Sequence, residues 1–550
     1  MRFLTLREIP IILGENDNKK HPVPVFGASI ARADLVKALF RYGTYDRYYF
    51  LLRSPAQLEE AKYRLSFYPD HQRAELILLD DYAKLRHLDQ MALLAGQASL
   101  QELAHFRRCH GRATWPVTGI TMTLSYNGAV VKVMETLLQE LYSHDALICI
   151  SHAGRRVVEN MIQHVCDFLY RKFRVSVSYP GQLPVIPLGV DAELFKPREQ
   201  LKARLRFSIP LDAIVLLYVG RFSTRFKMDL FPLILAFAEW ARGKDQIKLI
   251  LAGDDSESNL AAELKVFATA HGVADKVVLM PNLKAEDKHW LYSAADIFVS
   301  LSDNVQETLG ISVIEAMAAG LPTIVSDWDG YRDTVQHGIT GFRVPTYFAD
   351  CVEQVGRFAM LRGNHETHEL LGQSVAVDLK ALVGYLDVLT ENAGLRRQMG
   401  AQGRERVLRN YDWPVIIRQY EELWNELMMR AQTRHDLQEV EFEHGLNSYN
   451  YLKIFQHYPT SIITLDSRVR VTELGRKYLR GGLKIAPLEQ NYWPDAEFIG
   501  EMIAACEAQQ TIKIGALIKE VKNAPAAATE GWFYYITRLI KYGLLELELG

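Results

Sequence analysis

The stretch NVQETLGISVIEAMAAG, residues 304 to 320, sets Glu307 and Glu315 eight positions apart around the start of an apolar helix. The amides of Thr308, Leu309 and Gly310 fall at the helix N-terminus. They supply donors and partial positive charge suited to phosphate oxygens. Gly310 lets a ligand approach the backbone closely. Ile311, Ile314 and Ala318 share one stripe of the helix. An inward carboxylate at Glu315, about two turns along, can accept two hydrogen bonds from a ribose diol. Upstream, YVGRFSTRFKMDL (218 to 230) ends a strand at Gly220 and then offers Arg221 and Lys227. A planar guanidinium fork and a mobile ammonium at a strand's carboxyl end make a clamp for a diphosphate. Taken singly, each residue has a plainer reading. Arg221 and Lys227 are equally two solvated cations, Glu307 an acid that favours a helix dipole, and Glu315 a solvent-facing helical residue. Met together in this chain order, they point to one site.

Such groups need strands to hold them. AIVLLYVG (213 to 220), IKLILAG (247 to 253), KVVLMP (276 to 281), DIFVSLS (296 to 302) and PTIVSD (322 to 327) are short, continuous apolar runs. Runs of this kind suit parallel strands covered on both faces by helices. The first ~195 residues repeat the alternation, with strands at RYYFLL (47 to 52), ELILLD (75 to 80) and DALICIS (145 to 151) and a helix at ADLVKALFRYG (33 to 43). The Pro- and Gly-rich LPVIPLGVDAELFKP (183 to 197) reads as a connector. Two doubly wound α/β halves follow, with a ligand expected at the strands' carboxyl ends, in the cleft between the halves.

The bulk properties fit this picture. A chain of 550 residues with 49% hydrophobic content is too long for one core. Its net charge of -3 marks no broad nucleic-acid or lipid-binding surface. The five cysteines, at 109, 149, 166, 351 and 506, show no close pairing and read as reduced thiols. No run approaches the roughly 20 apolar residues that span a bilayer, and the N-terminal apolar run is short for a signal peptide. A cytoplasmic protein is expected, with peripheral contact at the inner membrane face left open.

GRFSTRFK, followed by SLSDNVQETLGISVIEAMAAGLPTIVSDWDGYRDTV, resembles the family 4 retaining glycosyltransferases of GT-B fold, whose hallmark is Glu, seven residues, Glu. The likeness runs over roughly residues 20 to 430 and is strongest in the second half. It implies transfer of a sugar, hexosyltransferase fashion, from a UDP- or GDP-linked donor to an acceptor hydroxyl with configuration retained. It implies that Arg221 and Lys227 hold the diphosphate and Glu315 the ribose. Glu307, Thr308, Leu309 and Gly310 then hold the donor sugar and distal phosphate. Base contacts are implied from near Pro281 to Leu283, hence Asn282 and Leu283. It also implies front-face attack, with the leaving phosphate taking the acceptor proton and no metal or other cofactor. Asp327 and Asp329 in SDWDG mimic a metal-binding DxD, but a turn with Asx hydrogen bonds is the expectation.

On the acceptor side, VPVFGASIARADL (23 to 35) brings Gly27, where related enzymes carry a glycine loop, although Ser29 equally suits a helix cap. In WPVTGITMTLSYNG (115 to 128), Met122 stands where relatives often have a histidine near the sugar, which puts that histidine's role in doubt. His152, at a strand end, is a candidate substitute, with a hydrogen-bonded loop histidine as the plainer reading.

The expected domains are 1–195 for the acceptor, 196–410 for the nucleotide sugar, 411–434 as a helix returning to the first domain, and 435–550 as a winged-helix-like α+β module. That last region holds 12 Lys+Arg against 15 Asp+Glu, a balance that disfavours nucleic acid and prefers docking of a protein or peptide partner. Homo-oligomerisation stays open. Three other classes are set beside the transferase: a sugar-nucleotide epimerase of the same fold, a catalytically silent GT-B scaffold acting through its C-terminal module, and a DNA-binding regulator.

Overall fold

A computed structural model describes residues 3–6, 27–79, 81–85, 87–88, 91–96, 98–256, 259–433, 449–482, 496–521 and 532–548. The chain divides into two compact units, Met1–Asn447 and Ser448–Gly550.

The first unit contains two six-stranded parallel sheets. The first is built from β1 (Phe3–Leu6), β2 (Arg47–Leu52), β3 (Ala74–Leu78), β4 (Met91–Ala95), β5 (Val117–Thr121) and β6 (Ala146–Cys149). Its order is β3-β2-β1-β4-β5-β6. The second is built from β7 (Ile214–Val219), β8 (Ile247–Gly253), β9 (Val277–Pro281), β10 (Ile297–Ser300), β11 (Thr323–Ser326) and β12 (Gly341–Val344). Read from β9, its order is β9-β8-β7-β10-β11-β12, the same topology. In each sheet the winding reverses beside the first strand. In the second sheet that switch point lies between β7 and β10, where a crevice opens at the strand ends.

The central strands are buried on both faces. Every residue of IFVS in β10 is buried, as are all but the first of IVLLYV in β7. Burial on two sides removes any alternation of polar and apolar residues, so these strands appear in the sequence as plain apolar runs. The weaker β1, β4, β5 and β12 are found in the structure but not in the strand pattern of the sequence.

Residues 183–197, expected as a connector, are partly built into the first sheet's edge. The Leu147 and Cys149 amides donate to the carbonyls of Gln182 and Pro184 (2.9 and 2.8 Å), and the Ile186 amide returns a bond to Cys149 (3.0 Å). Farther on, the Val190 amide donates to the Tyr411 carbonyl at 2.8 Å, tying the first crossing between the halves to the second.

The helix Trp413–Gln432, capped by Asp412, packs on the helix Gly27–Tyr42. Glu421 accepts from the Thr44 amide (2.6 Å) and hydroxyl (2.9 Å), and the Trp424 indole donates to Thr118 Oγ1 (3.2 Å). Trp424 is fully buried, so this helix closes the core of the first half.

In the second unit, Arg468–Val471 is the central strand of a three-stranded antiparallel sheet, between Ile512–Lys513 and Leu545–Glu548. Its RVRV alternates exposed and buried, the signature of a sheet with one solvated face. Val469, Phe498, Met502, Trp532 and Ile536 fill the core beneath it. All five cysteines are free thiols. Among the described residues, no helix is long and apolar enough to cross a membrane.

Candidate functional site

A cavity of about 960 Å³ lies between the two halves of the first unit. Arg221, Lys227, Glu307, Thr308, Leu309, Gly310, Glu315 and Met122 all line it. Residues 80 positions apart in the chain, Lys227 and Glu307, meet there as a direct ion pair.

The switch point accounts for this meeting. The loop after β7 carries Arg221 and Lys227, and the loop after β10 carries Glu307. The two loops are stitched together. Asn304 Nδ2 donates to the carbonyls of Thr224 (3.2 Å) and Arg225 (2.8 Å), and Ser302 Oγ donates to the Lys227 carbonyl (3.0 Å). Asn304 and Ser302 are fully buried, so breaking these bonds would strand polar groups in the interior. Tyr218 Oη donates to the Arg221 carbonyl (3.0 Å), and a Cβ at Gly220 would lie 2.5 Å from the Tyr218 Oη. The first residue of the loop therefore has to be glycine.

Glu307 is held from two directions, by the Lys227 ammonium and by the Gly310 amide, which donates to Oε1 at 2.9 Å. Burial alone would push its carboxyl up. The Lys227 charge and the backbone donors outweigh that and hold it below the ordinary glutamate value. Gly310 has φ 84°, and a Cβ there would lie 2.3 Å from the Tyr331 ring. Only glycine fits both the left-handed backbone and the packing. The helix Ile311–Ala318 starts immediately after it.

Glu315 is buried, not solvent-facing, at 5% exposure. Lys288 Nζ lies 2.7 Å from Oε1 and 2.6 Å from Oε2, and Tyr292 Oη donates to Oε2 at 2.7 Å. A buried carboxylate with this many donors is fixed in one rotamer and keeps lone pairs for a ligand's hydroxyls. Neither Lys288 nor Tyr292 was singled out in the sequence. They sit 27 and 23 positions upstream of Glu315 on another helix, Ala285–Ala294. No local spacing rule connects them.

The halves also touch at the cleft's edge. Thr308 Oγ1 donates to the Met122 carbonyl at 3.1 Å, so Met122 faces the donor loop through its backbone.

Three expected residues are not brought to the cleft. Asn282 takes a left-handed turn after β9 (φ 57°), and its Oδ1 accepts from the Asp255 amide at 3.0 Å. It closes a turn. Leu283 packs against the hydrophobic core. His152 begins a helix with its side chain exposed, and its backbone amide donates to Asp333 Oδ2. Gly27 is the first residue of the helix Gly27–Tyr42, while residues 7–26, including the preceding loop, lie outside the described residues. In SDWDG, Asp327 is paired with Arg332 (3.3 Å) and Arg343 (3.4 Å). Asp329 has φ 41°, and burial, with the Glu307 charge nearby, keeps its carboxyl well above the ordinary range. Both aspartates are absorbed into a turn. Among the described residues, no group of three or more His, Cys, Asp or Glu is placed to hold a metal ion.

Residues 199–357 match the family described as glycosyl transferases group 1. The chain is similar to the D-inositol 3-phosphate glycosyltransferase of Geodermatophilus obscurus, 32% identical over 169 residues, covering 30% of this chain and 37% of that protein. It is also similar to that of Mycobacterium leprae, 27% identical over 207 residues, covering 36% of this chain and 46% of that protein. The matched stretch thus spans less than half the length of either relative. Among solved structures, Anabaena Alr3699/HepE in complex with UDP aligns at TM-score 0.51 and 17% identity, covering 78% of this chain and all of that one. A glycosyltransferase from Rickettsia africae aligns at TM-score 0.52 and 14% identity, covering 78% of this chain and 98% of that one. The fold is GT-B, two Rossmann-like domains facing a cleft. Within it, residues 199–357 carry the match to the glycosyl transferases group 1 family.

Proposed function

We propose that the protein is a retaining glycosyltransferase that moves a sugar from a UDP- or GDP-linked donor to an acceptor hydroxyl. One observation carries this reading: Arg221, Lys227, Glu307, the helix start at Thr308–Gly310 and Glu315 all open into one cleft.

Glycosyl transfer is difficult because charge separates. The bond from the anomeric carbon to the β-phosphate oxygen breaks, leaving an oxocarbenium-like sugar and a diphosphate anion. Arg221, Lys227 and the amide-rich helix start answer the departing negative charge from fixed positions. The reading therefore routes no step through a metal. Glu315, fixed by Lys288 and Tyr292, is assigned to the ribose diol. Glu307 is assigned to the donor sugar's hydroxyls. A retaining hydrolase sets two carboxylates about 5 Å apart at the anomeric centre, an arrangement that Glu315, assigned to the ribose, does not support; front-face attack is taken from the family resemblance. The acceptor oxygen then attacks on the face the diphosphate leaves, and its proton passes to the departing phosphate oxygen.

The charge balance of residues 435–550, 12 cations to 15 anions, supports docking of a protein or peptide over duplex binding. Retention of duplex DNA by the full chain that falls steeply with salt would reverse that assignment.

Nucleotide release from a panel of UDP-, GDP- and ADP-sugars, with wild type and Glu307→Gln, tests the transferase reading. Turnover of one donor by wild type and its loss in the variant are expected. No turnover of any donor, or equal turnover by the variant, overturns it in favour of a silent scaffold.

A further inference from the structure

The cavity continues beyond the donor-side charges into the first half. There it runs between the helices Ala129–Leu137 and His152–Phe173, lined by Val133, Leu137, Leu147, Val158, Met161 and Ile162. Lys132 is the one charged lining side chain these two helices contribute among the described residues. Walls of this kind offer a sugar or peptide few polar partners. They stabilise a hydrocarbon ligand by roughly 25 cal/mol for each Å² of apolar surface buried.

The apolar arm leads toward an unusual surface. Val133, Leu137 and Ile162 belong to one cluster with Val165 and Leu169, which carries the apolar stripe to the helix's carboxyl end. Phe168, Tyr170, Phe173 and Val175 stand exposed there, at 42%, 54%, 58% and 50%. Lys172 Nζ lies 5.6 and 5.4 Å from the rings of Phe168 and Phe173, and Arg174 sits 5.8 Å from that of Tyr170. From residue 160 to residue 180 the cations Arg171, Lys172 and Arg174 face a single acid, Asp167. Exposed aromatic rings mixed with long basic side chains are the composition of a segment seated at a lipid headgroup boundary. The excess of cations selects an anionic surface.

We propose that the acceptor is an amphiphile whose hydrocarbon part lies in the arm between these two helices, and that the end of His152–Phe173 seats the protein on the anionic membrane that presents it. The word acceptor rests on the glycosyltransferase reading; the binding sites do not.

Two binding measurements on the full chain test this without requiring turnover, so their failure is separable from failure of the transferase reading. The first is sedimentation with phosphatidylcholine vesicles, with and without phosphatidylglycerol. Binding is expected only with the anionic lipid and is expected to fall with salt. Each cation removed at a membrane surface weakens partition roughly fivefold, so Arg171→Ala/Lys172→Ala/Arg174→Ala should bind about 100-fold more weakly. Phe168→Ser/Phe173→Ser should lose binding at unchanged charge. No binding, or equal binding to neutral vesicles, overturns the seating. The second is calorimetry with sub-micellar octyl β-glucoside, which should bind where glucose does not. Ile162→Trp, which fills the arm, should weaken it roughly tenfold or more. Val133→Phe, filling the arm from the other helix, should do the same, and unchanged nucleotide binding would show both variants folded. Octyl glucoside binding that ignores both substitutions, or no binding at all, overturns the arm.

Discussion

The two halves of the first unit have the same strand order but hold their charges differently. After β7 and β10 the second half presents Arg221, Lys227 and Glu307 on loops stitched by buried Asn304 and Ser302. In the first half the cavity is lined by Gly96 after β4, Met122 after β5, and Arg32, Asp34, Lys37 and Arg41 of the helix Gly27–Tyr42, while residues 7–26, after β1, lie outside the described residues. Topology supplies a crevice in both sheets, but only the loops decide what fills it. The charges differ in kind as well. Lys227–Glu307 and Lys288–Glu315 are largely buried pairs. Lys37–Asp34 and Arg41–Asp191, on the first half's side, stand 36% to 65% exposed, where pairing contributes little. A buried charge is held at a fixed point before substrate arrives, and an exposed one has to be ordered by it.

The largest effect should follow from removing a fixed charge. Lys227→Ala is expected to lower donor turnover roughly 10²–10³-fold, the usual loss for one preorganised electrostatic group. Lys62→Ala, in an exposed pair of the first half away from the cavity, at 2.8 Å, should change turnover by no more than a fewfold. Nucleotide-release assays on the two variants measure the contrast directly. Equal losses would erase the division between buried, fixed charges on the donor side and exposed ones on the acceptor side.

A second contrast uses glycines. Gly310 combines φ 84° with a Cβ position 2.3 Å from the Tyr331 ring, while a Cβ at Gly96 would meet only the flexible Arg32 side chain, at 3.1 Å. Gly310→Ala should cost about 1–3 kcal/mol of stability through backbone strain and overpacking. Gly96→Ala should stay within about 0.5 kcal/mol. Urea midpoints at constant slope read both. A large loss at Gly96 would mean that the acceptor edge is as tightly fitted as the donor edge.

The same asymmetry decided what the sequence revealed. The second sheet was legible because strands such as IVLLYV and IKLILAG are unbroken apolar runs between helices. The first sheet's β4, MALLA, is five residues of no marked β-preference, and β5, VTGIT, is interrupted by polar residues and glycine. Tertiary burial makes them strands, and no local pattern records that. In the site, Arg221, Lys227 and Glu307 were visible because each lies in a loop between a strand end and a helix start, and Glu315 because of its spacing from Glu307 inside the helix Ile311–Ala318. Lys288 and Tyr292 were not, because they meet Glu315 only through the packing of two helices. Asn282 was implied by the family resemblance alone, and in the structure its left-handed backbone and amide side chain serve a turn.

The smallest effect tests the donor loop internally, through two acids four positions apart whose titrations run in opposite directions. Asp303 is buried, and desolvation pushes its carboxyl up from 3.8 to about 7, against two long hydrogen bonds from the Asp229 amide. A raised acid binds its proton more tightly in the folded state. Its contribution is therefore lost as pH rises from about 4 to about 7, and the cost remains above that. Glu307 lies below its ordinary 4.5, so its contribution is present above that value and is lost as pH falls through the folded value. Asp303→Asn should thus gain stability over wild type at pH 8 and lose that advantage by pH 4. Glu307→Gln should show the reverse, with its deficit largest above about pH 5 and shrinking in acid. Thermal melts across this range separate the two slopes. If both differences are flat with pH, the loop's charges are not set by burial and pairing. The contrast with the exposed pairs of the first half would then fail where it is most specific.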